Sequence, residues 1–388
     1  MPIISTVTDL VDDVATWRHD FHMHPELLYE VHRTAAIVAE KLNGFGCDEV
    51  VAGIGRTGVV GIIRGRRQAS RKTIALRADM DALPIQEDTD VPYKSTIDGK
   101  MHACGHDGHT AMLLGAARHL CETRNFDGTA AMVFQPAEEG GAGGKAMLDD
   151  RLMDRFGIGE VYGMHAMPGL PVGAFAICAG PIMAAADRFE ITVKGVGGHA
   201  ARPHECIDPI MVGAQIVGAL QTIAARGVDP LDACVVSITR FHAGEAVNVI
   251  PTSAQLGGTI RALSEPVRSF AETRLHEIVE GTAATHRTTA TIAYQRGYPV
   301  TINDAEKTNF AIQAACDIVG ADRIDTALPP SMGAEDFSYM LEACPGAYIF
   351  IGNGDGASWH HPAFDFNDAA LPFGISYWAR LVENRLPL

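Results

Sequence analysis

Short apolar runs alternate with helical patterns through the first half of this chain, and this alternation constrains the fold more than any other feature of the sequence. Runs rich in apolar and β-branched residues lie at 59–63, 73–78, 129–134 and 161–165, and TAMLLGAARHL at 110–120 is typical of a helix. This order is typical of parallel strands joined by crossover helices. The first half therefore predicts an α/β sheet, in which ligands bind outside the carboxyl ends of the strands.

The pattern changes near Asp187, where DRFEITVKG alternates apolar and polar residues like an antiparallel strand with one solvent-facing side. Further strands and helices in a β-α-β-β-α-β order are predicted at 209–225, 233–241, 254–262, 265–281 and 288–295. The α/β pattern then resumes with a helix at 305–319, a strand AYIFIG and a last helix after Asp368. We therefore predict a catalytic domain split into 1–186 and 298–388, with an α+β domain at 187–297 inserted into it.

Composition and charge exclude several classes of protein. The 388 residues include 47 acidic and 31 basic side chains, and the resulting net charge of −16 repels the phosphates of nucleic acids and of anionic membranes. No run of about 18 apolar residues predicts a membrane-spanning helix. The first thirty residues lack the pattern of a secretory signal, and the eight cysteines show no disulfide-type spacing. We expect a cytoplasmic protein with no nucleic-acid or membrane partner.

The segment MHACGHDGHT at 101–110 concentrates potential metal ligands in one short loop. It contains His102, Cys104, His106, Asp107 and His109. Thiolate, imidazole and carboxylate groups bind borderline-soft divalent metals, and an offset of two residues can direct two ligands to one side of an extended loop. The alternative is a loop of capping and turn residues with incidental histidines.

Three further polar clusters follow predicted strands. VFQPAEEGG contains Glu138 and Glu139, whose adjacent carboxylates repel each other unless a positive charge lies between them. VYGMHAMPG contains His165, and SWHHPAFDFND contains His360 and His361. Taken singly, a solvated glutamate pair or a satisfied histidine is the commoner explanation. The metal-site prediction therefore depends on all four clusters lying after strands, at the expected ligand edge of the sheet.

Seven short motifs are spread along the chain, namely RADMDALPIQE at 77–87, HACGHDGH at 102–109, QPAEEG at 135–140, GHAARPH at 198–204, NVIP at 248–251, GTIRAL at 258–263 and MGAEDF at 332–337. Together they resemble the aminoacylase and carboxypeptidase superfamily of metallopeptidases, in particular its amidohydrolase branch with hippurate hydrolases and auxin-conjugate hydrolases. The resemblance extends from HPEL near the N-terminus to HHPAFDFND near the C-terminus.

The resemblance implies a di-metal α/β catalytic domain with an inserted lid of ferredoxin-like topology that also forms the homodimer contact. The residues that match the family's metal ligands are Cys104, His106, Glu139, His165 and His360. Glu138 matches the general base, and Asp79 matches the catalytic aspartate that orients a ligand. Many relatives have a histidine where this chain has Arg77, which cannot be a ligand. Counting back from Pro362 selects His360 as the last ligand, and His361 is the alternative.

The inserted domain carries the other residues that the resemblance identifies. His199 matches the histidine that reaches across the dimer to the neighbouring active site as an oxyanion donor, and Asn248 is expected to assist it. Arg261 matches the arginine that binds the substrate carboxylate. A surface-turn histidine and a solvated strand-end arginine are the alternative explanations from the sequence alone.

We therefore predict a metal-dependent amidohydrolase that cleaves N-acyl amino acids into a carboxylic acid and a free amino acid, with two divalent ions per subunit. Cysteine and imidazole ligands are compatible with zinc, manganese, nickel or cobalt. One alternative is a dipeptidase or carboxypeptidase of the same superfamily. The second alternative, a non-catalytic metal-stabilised dimer, does not explain Glu138, which a structural metal site does not require.

Overall fold

The computed structural model describes residues 4–388, which group into two units. The first unit comprises the chain up to Ile182 together with Ile302–Pro329 and Asp336–Leu388. The second comprises Met183–Thr301 and Pro330–Glu335. The segment 187–297 that the sequence analysis assigned to an inserted domain lies within the second unit, whereas it left 330–335 with the split domain.

The first half of the chain contains both helices and strands, and a mixed α/β architecture is confirmed. The α-helices are α1 Ser5–Thr8, α2 Val11–Met23, α3 His32–Phe45, α4 His106–Thr123, α5 Gly143–Asp149, α6 Leu152–Phe156, α7 Pro209–Leu220, α8 Glu265–Thr285, α9 Ala305–Val319, α10 Phe337–Ala343 and α11 Leu371–Arg385. The strands are β1 Glu49–Ile54, β2 Gly58–Arg64, β3 Thr73–Asp79, β4 Thr129–Gln135, β5 Ile158–Pro168, β6 Phe175–Ala176, β7 Gly180–Met183, β8 Ala185–Lys194, β9 Gly198–His199, β10 Cys234–His242, β11 Val249–Ile250, β12 Ser253–Ala262, β13 Ala290–Arg296, β14 Thr301–Asn303, β15 Ile324–Asp325 and β16 Gly346–Gly354.

The first unit is built on an eight-stranded sheet with the order β1-β2-β4-β3-β5-β16-β6-β15. Its centre is parallel, since β4, β3, β5 and β16 all run in one direction. The expectation of parallel strands is wrong for β2, which pairs antiparallel with both β1 and β4. The reason is the short connection between β1 and β2, which allows a hairpin and no crossover. Most of β1 is exposed or half-buried, so its sequence gave little signal.

Helix α4 lies in the core of the first unit, in contact with α2, α3 and α11. Almost all of its residues are buried, which explains why TAMLLGAARHL is predominantly apolar. The helix begins after Gly105, whose φ of 87° is a left-handed conformation that favours glycine. A Cβ atom at Gly108 would lie 2.3 Å from the Phe366 ring, so a glycine is needed for this close packing. The glycines of HACGHDGH thus fix where the helix begins and how closely it packs.

The second unit contains a four-stranded antiparallel sheet with the order β10-β12-β8-β13. Strand β8 alternates strictly, with Phe189, Ile191 and Val193 in a core cluster and the residues between them more exposed. Both α7 and α8 contact strands of this sheet. The helix predicted at 209–225 ends earlier, at Leu220, and a π-helical turn follows at Ile223–Gly227. None of the helices between residues 4 and 388 combines the length and the apolar character needed to cross a membrane.

Candidate metal centre

The loop before α4 brings two predicted ligands to the carboxyl-end edge of the central strands. Cys104 precedes the helix, and its Sγ lies 3.3 Å from Nε2 of His165 on β5. His106 is the first residue of α4, and its side chain is completely buried. His165 lies inside β5 and not at its end, because the strand continues to Pro168. Cys104, His106 and His165 therefore form one buried group of potential ligands.

Hydrogen bonds fix which nitrogen of His165 faces Cys104. Its Nδ1 donates to the main-chain carbonyl of Ala166 at 2.8 Å, so Nε2 carries the lone pair on the side of Cys104. The indole Nε1 of Trp359 donates to the same carbonyl at 2.8 Å. A metal-binding histidine commonly has its second ring nitrogen held by a carbonyl or a carboxylate in this way. The ring is therefore oriented before any ion binds.

Glu138 and Glu139 follow β4, and Asp81 holds both of them through the main chain. The two carboxylate oxygens of Asp81 accept the backbone N–H groups of Glu138 at 2.9 Å and of Glu139 at 3.1 Å. The same carboxylate lies 3.7 Å from Nδ1 of His106. The sequence analysis did not select Asp81, although it lies two residues after Asp79 in RADMDALP. Its role depends on contacts with a segment more than fifty residues away, which the motif alone does not reveal.

His360 and His361 differ in what their rings contact. Nε2 of His360 lies 3.2 Å from Oε1 of Glu139, whereas Nδ1 of His361 accepts the backbone N–H of Ala363 at 3.0 Å. The backbone of His360 has a φ of 62°, a rare conformation for a non-glycine residue, and its N–H donates to the carbonyl of Ala103 at 2.8 Å. His360 thus joins the loop of Cys104 through its backbone and Glu139 through its ring.

Four groups of potential ligands lie wholly within the first unit and share members, and in each group the candidate atoms lie within 4.8 Å of one another. The groups are Cys104–His106–His165, Cys104–Glu139–His360, His106–Glu138–Glu139 and Asp79–His106–His109. Cys104 and His106 each belong to more than one group. All five predicted metal ligands and Glu138 therefore occur in a single connected cluster in the first unit.

His109 belongs to one of these groups, but its two ring nitrogens are already engaged. Nδ1 lies 2.6 Å from Oδ1 of Asp79, and Nε2 accepts the backbone N–H of Ala166 at 2.9 Å. Neither nitrogen is left for an ion. His109 therefore connects Asp79 to β5 through the hydrogen bonds of its ring.

Asp79 lies at the end of β3 within a buried network. Arg77 donates to Asp79 at 2.8 Å, to Gln135 at 2.9 Å and to Asp336 at 3.0 Å. Arg77 thus links the carboxyl ends of β3 and β4 with Asp336, the residue before α10. Asp336, the aspartate of MGAEDF, is a contributor that the sequence analysis did not assign.

A second buried network lies behind the loop of Cys104. Asp107 accepts from Nδ1 of His22 at 2.8 Å and lies 3.4 Å from Nη1 of Arg18, and Nε2 of His22 lies 3.3 Å from Glu87. His22 lies in the last turn of α2. The ring of His102 is also buried, and burial lowers the pKa of this histidine to about 3. The network anchors the first turn of α4 against α2.

The electrostatics of the cluster favour a bound cation. Burial and the carboxylates of Glu139 and Glu138 raise the pKa of the Cys104 thiol well above its usual value. Burial acts to lower the pKa of His106, but Asp79, Asp81 and Glu139 outweigh it and raise the pKa to about 10. Burial likewise favours the neutral form of His165 and lowers its pKa. A positive ion would offset the negative charge that raises the pKa values of Cys104 and His106.

The residues present also fit a metal ion by their unsatisfied atoms. Among the described residues, both ring nitrogens of His106 are buried without a hydrogen bond. Buried polar atoms are normally paired, so these atoms require a partner that the polypeptide does not supply. The cluster combines buried sulfur, nitrogen and carboxylate oxygen atoms, which are ligands that divalent transition metals bind.

The remaining predicted residues lie in the second unit, on exposed or half-buried positions. His199 on β9 pairs with Val249 on β11, and the backbone N–H of Ala200 donates to the carbonyl of Asn248 at 3.0 Å. His199 and Asn248 are therefore close to each other. Arg261 is half-buried near the end of β12. A cleft of about 810 Å³ in this unit, lined among others by Gly198 and Val249, contains none of the predicted metal ligands.

Comparison with known proteins identifies the family. The sequence model of Peptidase family M20/M25/M40 matches residues 75–384, which include all the residues of the cluster. The chain belongs to this family. The resemblance inferred from the seven motifs is thereby confirmed.

Relatives of this M20 family protein match over nearly their whole length. A hippurate hydrolase of Campylobacter jejuni is 41% identical over 98% of this chain and 98% of its own, and thermostable carboxypeptidase 2 of Saccharolobus solfataricus is 42% identical over 91% and 90%. A Bacillus subtilis crystal structure described as a dinuclear metal binding peptidase from M20 family superposes with a TM-score of 0.86 at 36% identity, covering 98% and 99% of the two chains. Relatives that match over nearly their full length thus include enzymes of the predicted class, the N-acyl amino acid amidohydrolases.

Proposed function

We propose that this M20 family chain hydrolyses the amide bond between an acyl group and the nitrogen of an amino acid, with two divalent metal ions. The observation that carries the proposal is the connected cluster of buried sulfur, nitrogen and carboxylate ligands beside Glu138. A hippurate hydrolase that aligns over nearly all of both chains supports the reaction class, and a dinuclear neighbour supports the number of ions.

Cys104, His106, Glu139, His165 and His360 would hold the two ions. Cys104 belongs to one group with His106 and His165 and to another with Glu139 and His360, so it would be a ligand that both groups share. Divalent ions held there would polarise the amide carbonyl and make a water molecule a stronger nucleophile at neutral pH. Zinc, manganese, nickel and cobalt all suit this donor set.

Glu138 is the proposed general base. Its carboxylate lies in the group with His106 and Glu139, and only 7% of the residue is exposed. In this position it accepts the proton of the attacking water and returns it to the departing amine nitrogen. Asp81 supports this role, because its carboxylate holds the backbone N–H of Glu138 at 2.9 Å. Asp79 keeps His109 and Arg77 in place beside His106 and acts through them.

Three residues of the second unit are proposed to bind the substrate. The guanidinium of Arg261 pairs with the free carboxylate of the amino acid, since its planar fork can make two parallel hydrogen bonds. His199 and Asn248 donate to the oxygen of the tetrahedral intermediate. Their proximity on β9 and in the segment before β11 supports a joint role. On this proposal 187–297 acts as a lid, and 1–186 with 298–388 forms the catalytic domain.

We further propose that the protein acts in the cytoplasm as a homodimer in which His199 serves the active site of the partner chain. Mixing inactive Glu138→Gln chains with inactive His199→Ala chains would then restore activity, because one site of the heterodimer combines an intact Glu138 with an intact His199. Subunit exchange that forms heterodimers without restoring activity would contradict the shared site.

A panel of substrates tests the reaction class. Hippurate, acetyl-amino acids, dipeptides and a blocked peptide with a free C-terminal residue would be incubated with purified protein, with and without a chelator. We expect hippurate and acetyl-amino acids to be cleaved and the chelator to abolish cleavage. Cleavage of the peptides alone would favour the second candidate, a carboxypeptidase, which the 42% identical relative supports. Metal binding without cleavage of any substrate would favour the remaining alternative, a non-catalytic metal-stabilised dimer.

A further inference from the structure

Two arginines lie side by side on the outer face of the four-stranded sheet of the second unit. In the register of β8 and β12, Arg188 is opposite Thr259 and Arg261 is opposite Ala186. Arg188 and Arg261 are therefore diagonal neighbours on one face of the sheet, which is within reach of long side chains. Residues of β8 that alternate with Arg188, such as Phe189 and Ile191, are buried on the other face.

The nearest acidic residue in the sequence is committed to the opposite face. Asp187 accepts two hydrogen bonds from Nε and Nη2 of Arg268, the shorter at 2.6 Å, and a third from the hydroxyl of Tyr294 at 2.7 Å. Its side chain is 1% exposed. Asp187 is thus a structural partner of α8 and does not neutralise either arginine of the outer face by direct contact.

The acidic residue on the outer face of β8 also has a partner. Glu190 lies opposite Gly257, and its carboxylate accepts from Arg240 of β10 at 2.5 Å. Among the described residues, Arg188 and Arg261 form no hydrogen bond and no ion pair with any other side chain. Burial and the positive charge of Arg188 lower the pKa of Arg261, as expected of two cations that face each other without an anion between them.

Two unpaired guanidinium groups suit a ligand with two anionic groups. If Arg261 binds the α-carboxylate of the substrate, as in the proposed function on which this inference rests, Arg188 has no anion to bind on a neutral amino acid. An amino acid with a side-chain carboxylate supplies one. We infer that Arg188 is a specificity-determining residue that binds this second carboxylate, so that the preferred substrates are N-acyl derivatives of aspartate or glutamate.

N-acetylglutamate and N-acetylglutamine provide a matched pair of substrates, because they differ in charge and hardly in shape. In the wild-type protein we expect a higher kcat/KM for N-acetylglutamate. The variant Arg188→Gln should lower kcat/KM for N-acetylglutamate about 10- to 100-fold, which corresponds to a lost charge-assisted hydrogen bond. This decrease should appear as a higher KM with an unchanged kcat, because the contact exists both in the bound substrate and in the transition state. N-acetylglutamine should change by less than about twofold.

Arg240→Gln is the matched control, since Arg240 lies on the same sheet and is already paired with Glu190. It should leave the ratio of the two substrates unchanged. Calorimetric binding of the products L-glutamate and L-glutamine gives a readout that does not require turnover, and Arg188→Gln should weaken the binding of glutamate alone. Arg188→Lys, which keeps the charge, should retain part of the preference.

Hydrolysis of both substrates with an unchanged ratio in Arg188→Gln would overturn the role of Arg188 and leave the proposed function standing. Failure of the wild-type protein to hydrolyse N-acetylglutamate, N-acetylglutamine and hippurate would overturn the proposed function and this inference with it.

Discussion

The candidate metal centre of the first unit and the arginine-bearing face of the second unit handle charge in opposite ways. In the first unit, charged groups such as Asp79, Asp81 and Asp107 are buried, and each is held by hydrogen bonds from the protein or lies beside a histidine. In the second unit, Arg261 and Arg188 have no anionic partner among the described residues and remain half-buried or exposed. The first arrangement is preorganised, whereas the second leaves two cations open to an anionic ligand.

The two arrangements therefore differ in how they contribute free energy to function. Buried ligands that are oriented beforehand lose little conformational freedom when an ion binds, so they can hold reacting groups in position. Arginines without a partner keep their charge available for recognition, and a substrate that supplies the anion gains the interaction. Substitutions in the first unit should therefore affect turnover and metal content, and substitutions on the outer face of the second unit should affect selectivity.

The largest expected effect is that of Glu138→Gln. We expect kcat to fall by a factor of about 10² to 10⁴, because general-base catalysis is lost, while the metal content stays near that of the wild type. The matched variant Glu139→Gln should lose metal and activity together, since Glu139 is the proposed ligand. Elemental analysis and steady-state kinetics on both proteins separate the two roles. Near-normal turnover in Glu138→Gln would reject the assignment of the base.

Arg261→Ala should have a large effect that depends on the substrate. We expect kcat/KM for N-acyl amino acids to fall by a factor of roughly 30 to 4000, equivalent to about 2 to 5 kcal/mol for a charge-assisted bidentate pair. The corresponding N-acyl amino acid amides should change little, because they lack the carboxylate. Kinetics with an acid and its amide check this directly. Equal losses for both would mean that Arg261 acts on the fold or on the reacting groups.

A smaller effect is expected on the stability of the second unit. Burial acts to raise the pKa of Asp187, but hydrogen bonds from Arg268 and Tyr294 outweigh it and lower the pKa below its usual value of 3.8. A lowered pKa stabilises the folded state above the unfolded pKa, and this stabilisation is lost as the pH falls through the folded pKa. Asp187→Asn should therefore reduce the free energy of unfolding by about 2 to 4 kcal/mol at pH 7, with a difference that shrinks below about pH 4.

Hydrogen exchange of the β8 amides, measured between pH 7 and the most acidic pH at which the protein stays folded, reports this unfolding in the second unit. Glu277→Gln is the control, because Glu277 forms an exposed ion pair with Arg274 on α8, and such a pair contributes about 0 to 1 kcal/mol. A stability difference that grows as the pH falls would have the wrong sign for this account.

The sequence predicted those parts of the fold and site whose signal is local. Strands β3 and β4 were visible in apolar runs, and the cluster residues were visible as short polar motifs, although His165 lies inside β5 and not after it. The antiparallel pairing of β2 was not visible in the sequence, because the direction of pairing depends on the hairpin with β1 and on contacts with distant strands. Asp81 and Asp336 were missed for a similar reason. Their contacts with Glu138 and Arg77 join segments that are distant in the sequence.

The choice between His360 and His361 shows the limit of motif counting. Counting back from Pro362 selected His360 but left His361 as an alternative, and the backbone conformation separates the two. The φ of 62° at His360 and its hydrogen bond to Ala103 direct one ring towards Glu139. The sequence does not indicate this left-handed conformation, because the position is not occupied by glycine or asparagine, the residues that adopt it most readily.

Metal stoichiometry tests the central claim most directly. Wild-type protein and Cys104→Ser would be purified under the same metal-replete conditions, and their metal content per chain would be measured by elemental mass spectrometry together with hippurate hydrolysis. The account predicts two divalent ions per wild-type chain, and a decrease of both metal content and activity in Cys104→Ser, because Cys104 belongs to two of the ligand groups. Full metal content in Cys104→Ser, or an active wild-type protein without bound metal, would contradict it.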